Sequence, residues 1–569
     1  MIVERVFPAV TWLKSYSRMQ FSQDATAAFI VTMLLIPQSL AYAMLAGVPP
    51  EVGLYSSILP LVLYAIFGTS SSLSVGPVAV ASLMTATSLA AIAEQGTASY
   101  LTGAITLALL SGAMLLTMGV MKLGMITNLL SHSVISGFIS ASGIIIALSQ
   151  VKHILGVPAH GDNVVTQLLS MMSNIAQFNS MTFVVGVSVL MFLLLARRYA
   201  KRCLVWLKVP KTYAASLSKT APILGVLGSL SLVYVYDLQT YGVAITGNIP
   251  AGLPHFGFSL PSLELVKSLA LPALMISIIG YVESISVGKT LGAKRREKVQ
   301  PNQELIGLGS ANIASGLSGG FPVTGGFSRS VVNFDAGAVT QLAGVMTAIG
   351  IMIASLVLTP VLFFLPKATL AATIIVAVIT LIDFSILKKT WLFSRSDFYA
   401  VLATIVITLL LGVEVGVASG VVLSILLHLS RTSRPHVAEV GLIEGTEHFR
   451  NVKRYEVKTA ANLLCLRPDE SLFFVNAAFL EDYILDCINK RQDITHVVIQ
   501  CSAVNEIDFS ALEMLESLNT QLKTAHIQLS LSEVKGPVMD CLEFSGFLQH
   551  LSGKVFLSQY QAFNSLSSD

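Results

Sequence analysis

The sequence predicts an all-α polytopic membrane domain of fourteen spans, a 7+7 inverted repeat with two broken half-helix segments, followed by a small α/β domain. Three observations predict it. Charged residues are 12% of the 569 and hydrophobic residues 54%, whereas a soluble domain carries about 25% charged residues. Apolar runs long enough to cross a bilayer, about 20 residues each, recur through the first three quarters of the chain. Two of the apolar elements are interrupted by Gly and Pro at matching places in the two halves. This composition excludes a soluble enzyme, a fibrous protein and a disordered protein. A net charge of +3 gives no reason to expect nucleic acid. Cys203, Cys465, Cys487, Cys501 and Cys541 form no C-x-x-C pair and no metal spacing. No disulfide framework, metal site or cofactor is therefore expected.

The elements follow in order. Residues 1–23 lack the apolar core and small-residue cleavage site of a signal peptide. They read as an amphipathic segment on the membrane surface, with Arg5, Lys14 and Arg18 toward water. Residues 24–435 form the expected membrane domain. Its spans are expected at 24–45, 52–68, 76–93, 100–121, 132–150, 180–198, 221–236, 264–291, 303–319, 326–336, 339–365, 368–387, 397–412 and 414–430. Basic residues test the count. If the N-terminus is cytoplasmic, the cytoplasmic loops hold Lys122, the run from Arg197 to Lys219, the run from Lys289 to Lys298, Lys388, Lys389 and Arg395. Lys211 is among them, and Arg431 and Arg434 follow the last span. The opposite loops hold little beyond Lys152, Lys267 and Lys367. That asymmetry predicts an even number of spans with both termini cytoplasmic. The basic runs are read as topological anchors in an inner, cytoplasmic membrane.

The third and tenth elements differ from the rest. Leu73-Ser-Val-Gly-Pro-Val-Ala-Val80 and Phe321-Pro-Val-Thr-Gly-Gly-Phe-Ser-Arg-Ser330 each read as a short β-like run, a Gly or Gly-Pro break, and a short helix. Pro77 suits a first helical turn, where its missing N–H costs nothing. Gly76 and Gly325 lie 249 residues apart, close to the 240 between the starts of spans one and eight. Each break is thus third in a seven-span half, and an odd count inverts one half against the other. Broken segments at corresponding positions of inverted halves mark a transporter site. Two half-helix N-termini would meet at mid-membrane, bringing unpaired N–H groups and positive dipole ends to an anion. Two Pro-kinked structural helices are the alternative.

Composition changes near Arg431-Thr-Ser-Arg-Pro435, where charge becomes frequent. Residues 436–569 read as strands at 472–476, 497–501 and 527–532 alternating with helices near 477–490, 510–524 and 536–545, an α/β pattern.

These motifs resemble a known family. Pro49-Pro-Glu-Val-Gly-Leu-Tyr-Ser-Ser57 followed by Gly68-Thr-Ser70 resembles the signature of the SulP anion permeases, the sulfate-permease relatives of pendrin and prestin. Thr32-Met-Leu-Leu-Ile-Pro-Gln-Ser-Leu-Ala-Tyr42 resembles their first span, and Phe321 to Asn333 their tenth. Ile499-Gln-Cys-Ser-Ala-Val-Asn-Glu-Ile-Asp-Phe-Ser-Ala-Leu512 resembles the core of a STAS domain. One departure is visible: Ser71 and Ser72 stand where the family signature has a basic residue, which reads as a local surface difference. The resemblance implies a core and a gate domain, an anion pocket between spans three and ten, elevator-like movement of the core, and a homodimer.

Candidate site residues follow. Arg329 is the only arginine in the interior of the apolar spans. A charge at mid-bilayer costs about 2.5–3.5 kcal/mol on insertion scales, so it must face a partner, a cavity or a substrate. The family positions put it beside the anion with Ser328 and Gly326, and a structural ion pair with Glu283 is the rival reading. Gln38, after Pro37, either donates to the anion or caps a carbonyl freed by the kink. Val78, Ala79 and Val80 would line the pocket through backbone. The substrate-binding set is Gln38, Val78, Ala79, Gly325, Gly326, Phe327, Ser328 and Arg329, with Tyr42 a weaker member. Glu283 lies beside a stripe of small residues, Gly280, Ser284, Gly288 and Gly292, that suits close helix packing. In relatives a carboxylate here is linked to the coupling ion: Asp in sodium-coupled bicarbonate members, Glu in proton-coupled ones. Glu283 is therefore assigned to proton coupling. Ser510 matches the phosphorylated serine of stand-alone STAS regulators, and N-capping by Asp508 or Ser510 is the plainer reading.

The expected function is secondary transport of a small inorganic anion, sulfate uptake by proton symport, in a membrane-embedded homodimer. Bicarbonate or dicarboxylate symport, anion exchange and a channel of the same family are the alternatives. No paired His/Asp/Glu cluster at a span end, nucleotide loop or metal spacing supports an enzyme. A membrane anchor serving the STAS domain would not need two half-helix motifs.

Overall fold

The computed structural model describes residues 7–567 except 91, 129–130, 160, 162, 207, 209–217, 251, 254–260 and 492. Arg5 and Lys211, read above as surface and loop cations, lie outside the described residues. Packing divides the chain into two units, Met1–Ser424 and Ile425–Asp569.

Each expected span falls on a helix. The spans are α1 (Arg18–Leu45), α2 (Leu59–Phe67, after a short helix Pro50–Tyr55), α3 (Ala79–Ala90), α4 (Ala98–Val120), α5 (His132–Leu155), α6 (Ser180–Trp206) and α7 (Ala221–Val235). The second set is α8 (Leu263–Arg295), α9 (Pro301–Leu317), α10 (Phe327–Asp335), α11 (Leu342–Val357), α12 (Lys367–Val378), α13 (Arg395–Leu411) and α14 (Val413–Ser433). Among the described residues, eight helical stretches are both long and apolar enough to cross a membrane. The others are shorter. In α3 and α10 the preceding residues are spent on strands β1 (Val75–Gly76) and β2 (Thr324–Gly325). An amphipathic helix, Val164–Ser173, stands between spans five and six and has no counterpart in the expected spans. The surface segment also differs in detail: after a short helix, Ala9–Lys14, a capping box of Ser17 and Gln20 starts α1 at Arg18.

Within the first unit two groups of helices are visible. In one, α4 packs on α9 and α8, α2 on α9, and α1 on α11 and α10. In the other, α5 packs on α12 and α13, and α6 on α12 and α7. The groups meet where α1 touches α12 and α7 and where α3 touches α5. Small residues allow the closest approach. A Cβ on Gly112 of α4 would lie 2.7 Å from the Ile313 nitrogen and 2.9 Å from the Gly309 carbonyl oxygen of α9. Backbones in such contact gain dispersion energy that larger residues would forbid in lipid.

Buried polar groups fix the approach to β1. Glu304 of α9, fully buried, accepts hydrogen bonds from Tyr64 Oη (2.7 Å), the Thr69 amide (2.7 Å), Thr69 Oγ1 (2.6 Å) and the Ser70 amide (3.2 Å). A carboxylate with four donors is satisfied without a counter-charge. Ser71 and Ser72 are 8% and 0% exposed, and Ser71 Oγ donates to Glu297 at 2.5 Å. The expected surface difference is therefore a buried one. The loop is held from beneath by carboxylates, and a short hydroxyl reaches Glu297 there.

The second unit contains a six-stranded sheet in the order β4-β3-β5-β6-β7-β8. The strands are β3 (Val437–Leu442), β4 (Phe449–Asn451), β5 (Leu463–Pro468), β6 (His496–Gln500), β7 (Gln528–Ser532) and β8 (Val555–Phe556). β5 to β8 run parallel and β3 is antiparallel to both its neighbours. Helices Ala477–Lys490 and Phe509–Thr524 cover one face, where Leu464, Leu466, Val497 and Ile499 alternate inward. The strand expected at 472–476 is not formed. Phe473 N–H donates to Asn476 Oδ1 at 2.9 Å and the Asn476 amide returns to the Phe473 carbonyl, making a turn. The strand lies earlier, at β5, where both faces are buried.

Candidate functional site

The two broken segments meet. β1 and β2 pair antiparallel, Val75 opposite Gly325 and Gly76 opposite Thr324. Each strand turns directly into a half-helix, α3 or α10, so both helix N-termini start at one ribbon and diverge. The ribbon is held by side chains that the sequence reading did not assign to it. Ser284 Oγ of α8 accepts from the Gly325 amide at 2.8 Å. Asn312 of α9 accepts from the Val323 amide at 2.9 Å and donates to the Val323 carbonyl at 2.8 Å. Ser330 Oγ accepts from the Ser74 amide at 3.0 Å and donates to the Gly326 carbonyl at 2.7 Å. Gly280 is where β2 lies closest to α8: a Cβ there would be 2.3 Å from Thr324 Cγ2.

At the ribbon a cavity of about 30 Å³ is lined by Gln38, Tyr42, Val78, Ala79, Val80, Glu283, Gly326, Phe327, Ser328 and Arg329. Ala377, Val378 and Leu381 close its far wall from the α12 end. The predicted residues therefore converge, with one exception. Gly325 stays in the ribbon, its N–H engaged by Ser284. Gly326 begins α10 with no side-chain cap, so the first-turn N–H groups that a helix leaves unbonded stay available to a ligand. Arg329 is 2% exposed. Its two terminal guanidinium nitrogens are buried and reach no hydrogen-bond acceptor among the described residues, Glu283 included. The structural ion pair between these two residues, the rival reading above, is thus not formed, although both face one cavity. Gly76 leaves room for the guanidinium, since a Cβ there would lie 2.8 Å from Arg329 Nη1. Gln38 Oε1 is likewise buried without a partner. Pro37, inside α1, withholds an N–H from the Met33 carbonyl one turn back.

Two larger cavities flank the site. One, about 360 Å³, shares Gln38, Phe327, Ser328 and Ala377 with it and reaches Arg197 and Ser218 on the face that carries the basic loops. The other, about 440 Å³, sits at the opposite ends of α1, α3 and α5 and shares no lining residue with the site. The wall from α12 was not legible beforehand, because Ala377, Val378 and Leu381 belong to an unbroken apolar run. The ribbon-holding Asn312 carried a weak signal, an amide inside an apolar span. In the second unit, Asp508 caps its helix through Oδ1 to the Ala511 amide at 2.8 Å, and Ser510 is exposed.

Comparison with known proteins places the chain. The model of the sulfate permease family matches residues 21–404, and that of the STAS domain residues 454–562. Sulfate transporter 4.1, chloroplastic, of Arabidopsis thaliana is 35% identical, over 97% of this chain and 81% of that protein. A probable sulfate transporter of Mycobacterium tuberculosis is 32% identical, over 96% of this chain and 95% of that protein. The solved structure of SLC26A9 superposes with a TM-score of 0.90 at 22% identity, covering 99% of this chain and 93% of that one. The transmembrane domain of the cyanobacterial bicarbonate transporter BicA superposes at 0.60 with 21% identity, over 71% of this chain and 98% of that one. At these identities the two structures bear on the fold alone. The sequence matches cover both parts of the chain, in order: it belongs to the sulfate permease family and carries a STAS domain at its C-terminal end.

Proposed function

We propose that this protein is a secondary active transporter that takes an inorganic anion, sulfate, into the cytoplasm together with protons. One observation carries the reading: two helix N-termini and the buried, unpartnered guanidinium of Arg329 converge on one cavity. A buried cation without an acceptor is costly, and a bound anion removes that cost. In this reading the amides of Val78 to Val80 and Phe327 to Arg329, with Ser328 and Gln38, hold the oxyanion. The name borne by the plant and mycobacterial relatives supports sulfate as that anion. The face with the basic loops is the cytoplasmic one, so the site opens inward. Residues 24–435 act as the transport domain, residues 436–569 as a cytoplasmic STAS domain, and the chain works as a homodimer in the inner membrane. The group of helices around α4 and α9 carries the site past the group around α5 and α12, an elevator-like exchange of access.

Coupling follows from charge. Moving one charge through 100 mV is worth about 2.3 kcal/mol, so a divalent anion entering a negative cytoplasm costs roughly 4.6 kcal/mol per 100 mV. Two protons cancel that cost and a third makes entry downhill. Glu283, facing the same cavity as Arg329 without pairing to it, carries one of them. The test is labelled sulfate uptake into cells lacking their own carrier. Wild type should accumulate sulfate under an inward proton gradient and Arg329→Ala should not, with both proteins present in the membrane. Equal uptake by the two would refute the assignment.

A further inference from the structure

The cavity at the outer ends of α1, α3 and α5 has a composition that its position does not explain. Its lining includes Lys152, His153 and Lys367. The outward loops are otherwise poor in basic residues, holding only Lys267 besides these two lysines among the positions read above. Two of three outward lysines thus converge on one cavity from separate helices, the end of α5 and the start of α12. Helix electrostatics alone would select only one of the two placements. Lys152 suits the C-terminal turn of α5, but Lys367 is the first residue of α12, where a cation opposes the helix dipole. All three side chains are half-buried. His153 has Lys152 and Lys367 as its charged neighbours, and Lys152 Nζ donates to the Ala159 carbonyl at 2.8 Å. Among the described residues no carboxylate lines the cavity. Glu414 lies behind it, accepting from Thr87 and Ser88.

Like charges gathered with no carboxylate among the described lining residues, in a cavity of about 440 Å³, form a field suited to an anion from the external solution. The vestibule also leads toward the transport site. Leu83, Ala86 and Thr87 of α3 line it, while Ala79 and Val80, one turn earlier on the same helix, line the central cavity.

The geometry points to a second anion site in this outer vestibule, at which Lys152 and Lys367, with His153 between them, hold a small inorganic dianion before it enters the central site. It rests on the transport reading for its direction but uses different residues. Being an attraction through water-filled space, it acts on the encounter more than on the transport step, and salt weakens it. Divalent sulfate gains more than a monovalent anion.

The experiment measures initial rates of labelled sulfate uptake by cells against external sulfate, at low and high ionic strength. Wild type should show an external KM that rises with ionic strength. Lys152→Gln combined with Lys367→Gln should raise KM at low ionic strength by roughly tenfold, at the low end of electrostatic steering effects. It should leave the maximal rate and the KM for efflux from the cytoplasmic side unchanged, and should flatten the salt dependence. Lys152→Arg with Lys367→Arg should behave as wild type. An external KM in the double Gln variant equal to wild type overturns the site, as does a wild-type KM indifferent to salt. If wild type takes up no sulfate, the transport reading itself fails. Equilibrium binding of labelled sulfate to purified protein then decides the vestibule, since Arg329→Ala should retain a weak component that the two Gln substitutions remove. Absence of that component overturns the proposal.

Discussion

Replacing Gly280 by alanine tests whether the position of the ribbon sets anion affinity. The new Cβ would lie 2.3 Å from Thr324 Cγ2 and 3.2 Å from Thr324 Cβ. Carbon atoms pack at about 3.5–4.0 Å, so β2 or α8 must move by about 1.2 Å. Overpacking of this kind costs about 1–3 kcal/mol. Gly325 and Gly326 follow Thr324 directly, and the Gly325 amide is bonded to Ser284 on the same face of α8, so the displacement passes into the start of α10. A misplacement of about 1 Å in a positioned site costs on the order of 10²-fold in catalysis. We expect sulfate affinity in Gly280→Ala to fall by roughly 10- to 100-fold, about 1.4–2.8 kcal/mol. Adding Thr324→Ser removes Cγ2, the atom that is struck, and should restore most of the loss, while Thr324→Ser alone should bind as wild type. The assay is equilibrium binding of labelled sulfate to purified protein, with a thermal melt to confirm folding. Unchanged affinity in folded Gly280→Ala, or no rescue by Thr324→Ser, would refute the reasoning.

Other outcomes are expected. Glu283→Gln should lose sulfate accumulation driven by a proton gradient and keep sulfate exchange across liposomes at equal pH; full gradient-driven accumulation would put the proton elsewhere. Glu304→Ala leaves Tyr64, Thr69 and Ser70 without their acceptor and should lower stability by about 3 kcal/mol or more, read as a lowered melting temperature. Ending the chain after Arg434 should change rate or expression with little change in sulfate affinity, because the ribbon and its cavity lie wholly in the first unit. Burial pushes the thiols of Cys465 and Cys501 up to about 12, so at pH 8 both are protonated. An alkylating reagent should modify exposed Cys203 and Cys541 first, and Cys465 and Cys501 only after unfolding, as mass spectrometry of digested protein would show.

The membrane elements were legible because bilayer thickness imposes a run length that can be read without contacts. The broken segments stood out because Pro77 and the Gly325-Gly326 pair are poor helix interior residues in otherwise apolar runs. Their antiparallel pairing was not legible, since two-residue strands carry no periodicity. Residues that hold the ribbon, such as Ser284 and Asn312, looked like small or polar members of helices, and only their partners give them meaning. Ser71 and Ser72 misled for a related reason: serine suits an exposed turn as well as a buried loop such as this one, where Ser71 reaches the half-buried Glu297. In the STAS domain, Leu472 to Val475 is as apolar as a strand, but Asn476 captures the Phe473 amide and turns the chain. β5 was overlooked although it is buried on both faces. A run such as Leu463-Leu-Cys-Leu466 shows no alternation, and strand and helix look alike in it.

The central claim is that an anion sits between the N-termini of α3 and α10 beside Arg329. Selenate, a sulfate analogue with an anomalous signal, tests it most directly. Crystals of the protein grown with selenate should show one strong selenium peak within hydrogen-bond reach of the Val78–Val80 and Phe327–Arg329 amides, and that peak should be lost in Arg329→Ala. A central peak that persists in Arg329→Ala, or a wild-type central cavity without selenium while the protein binds selenate in solution, would contradict the account.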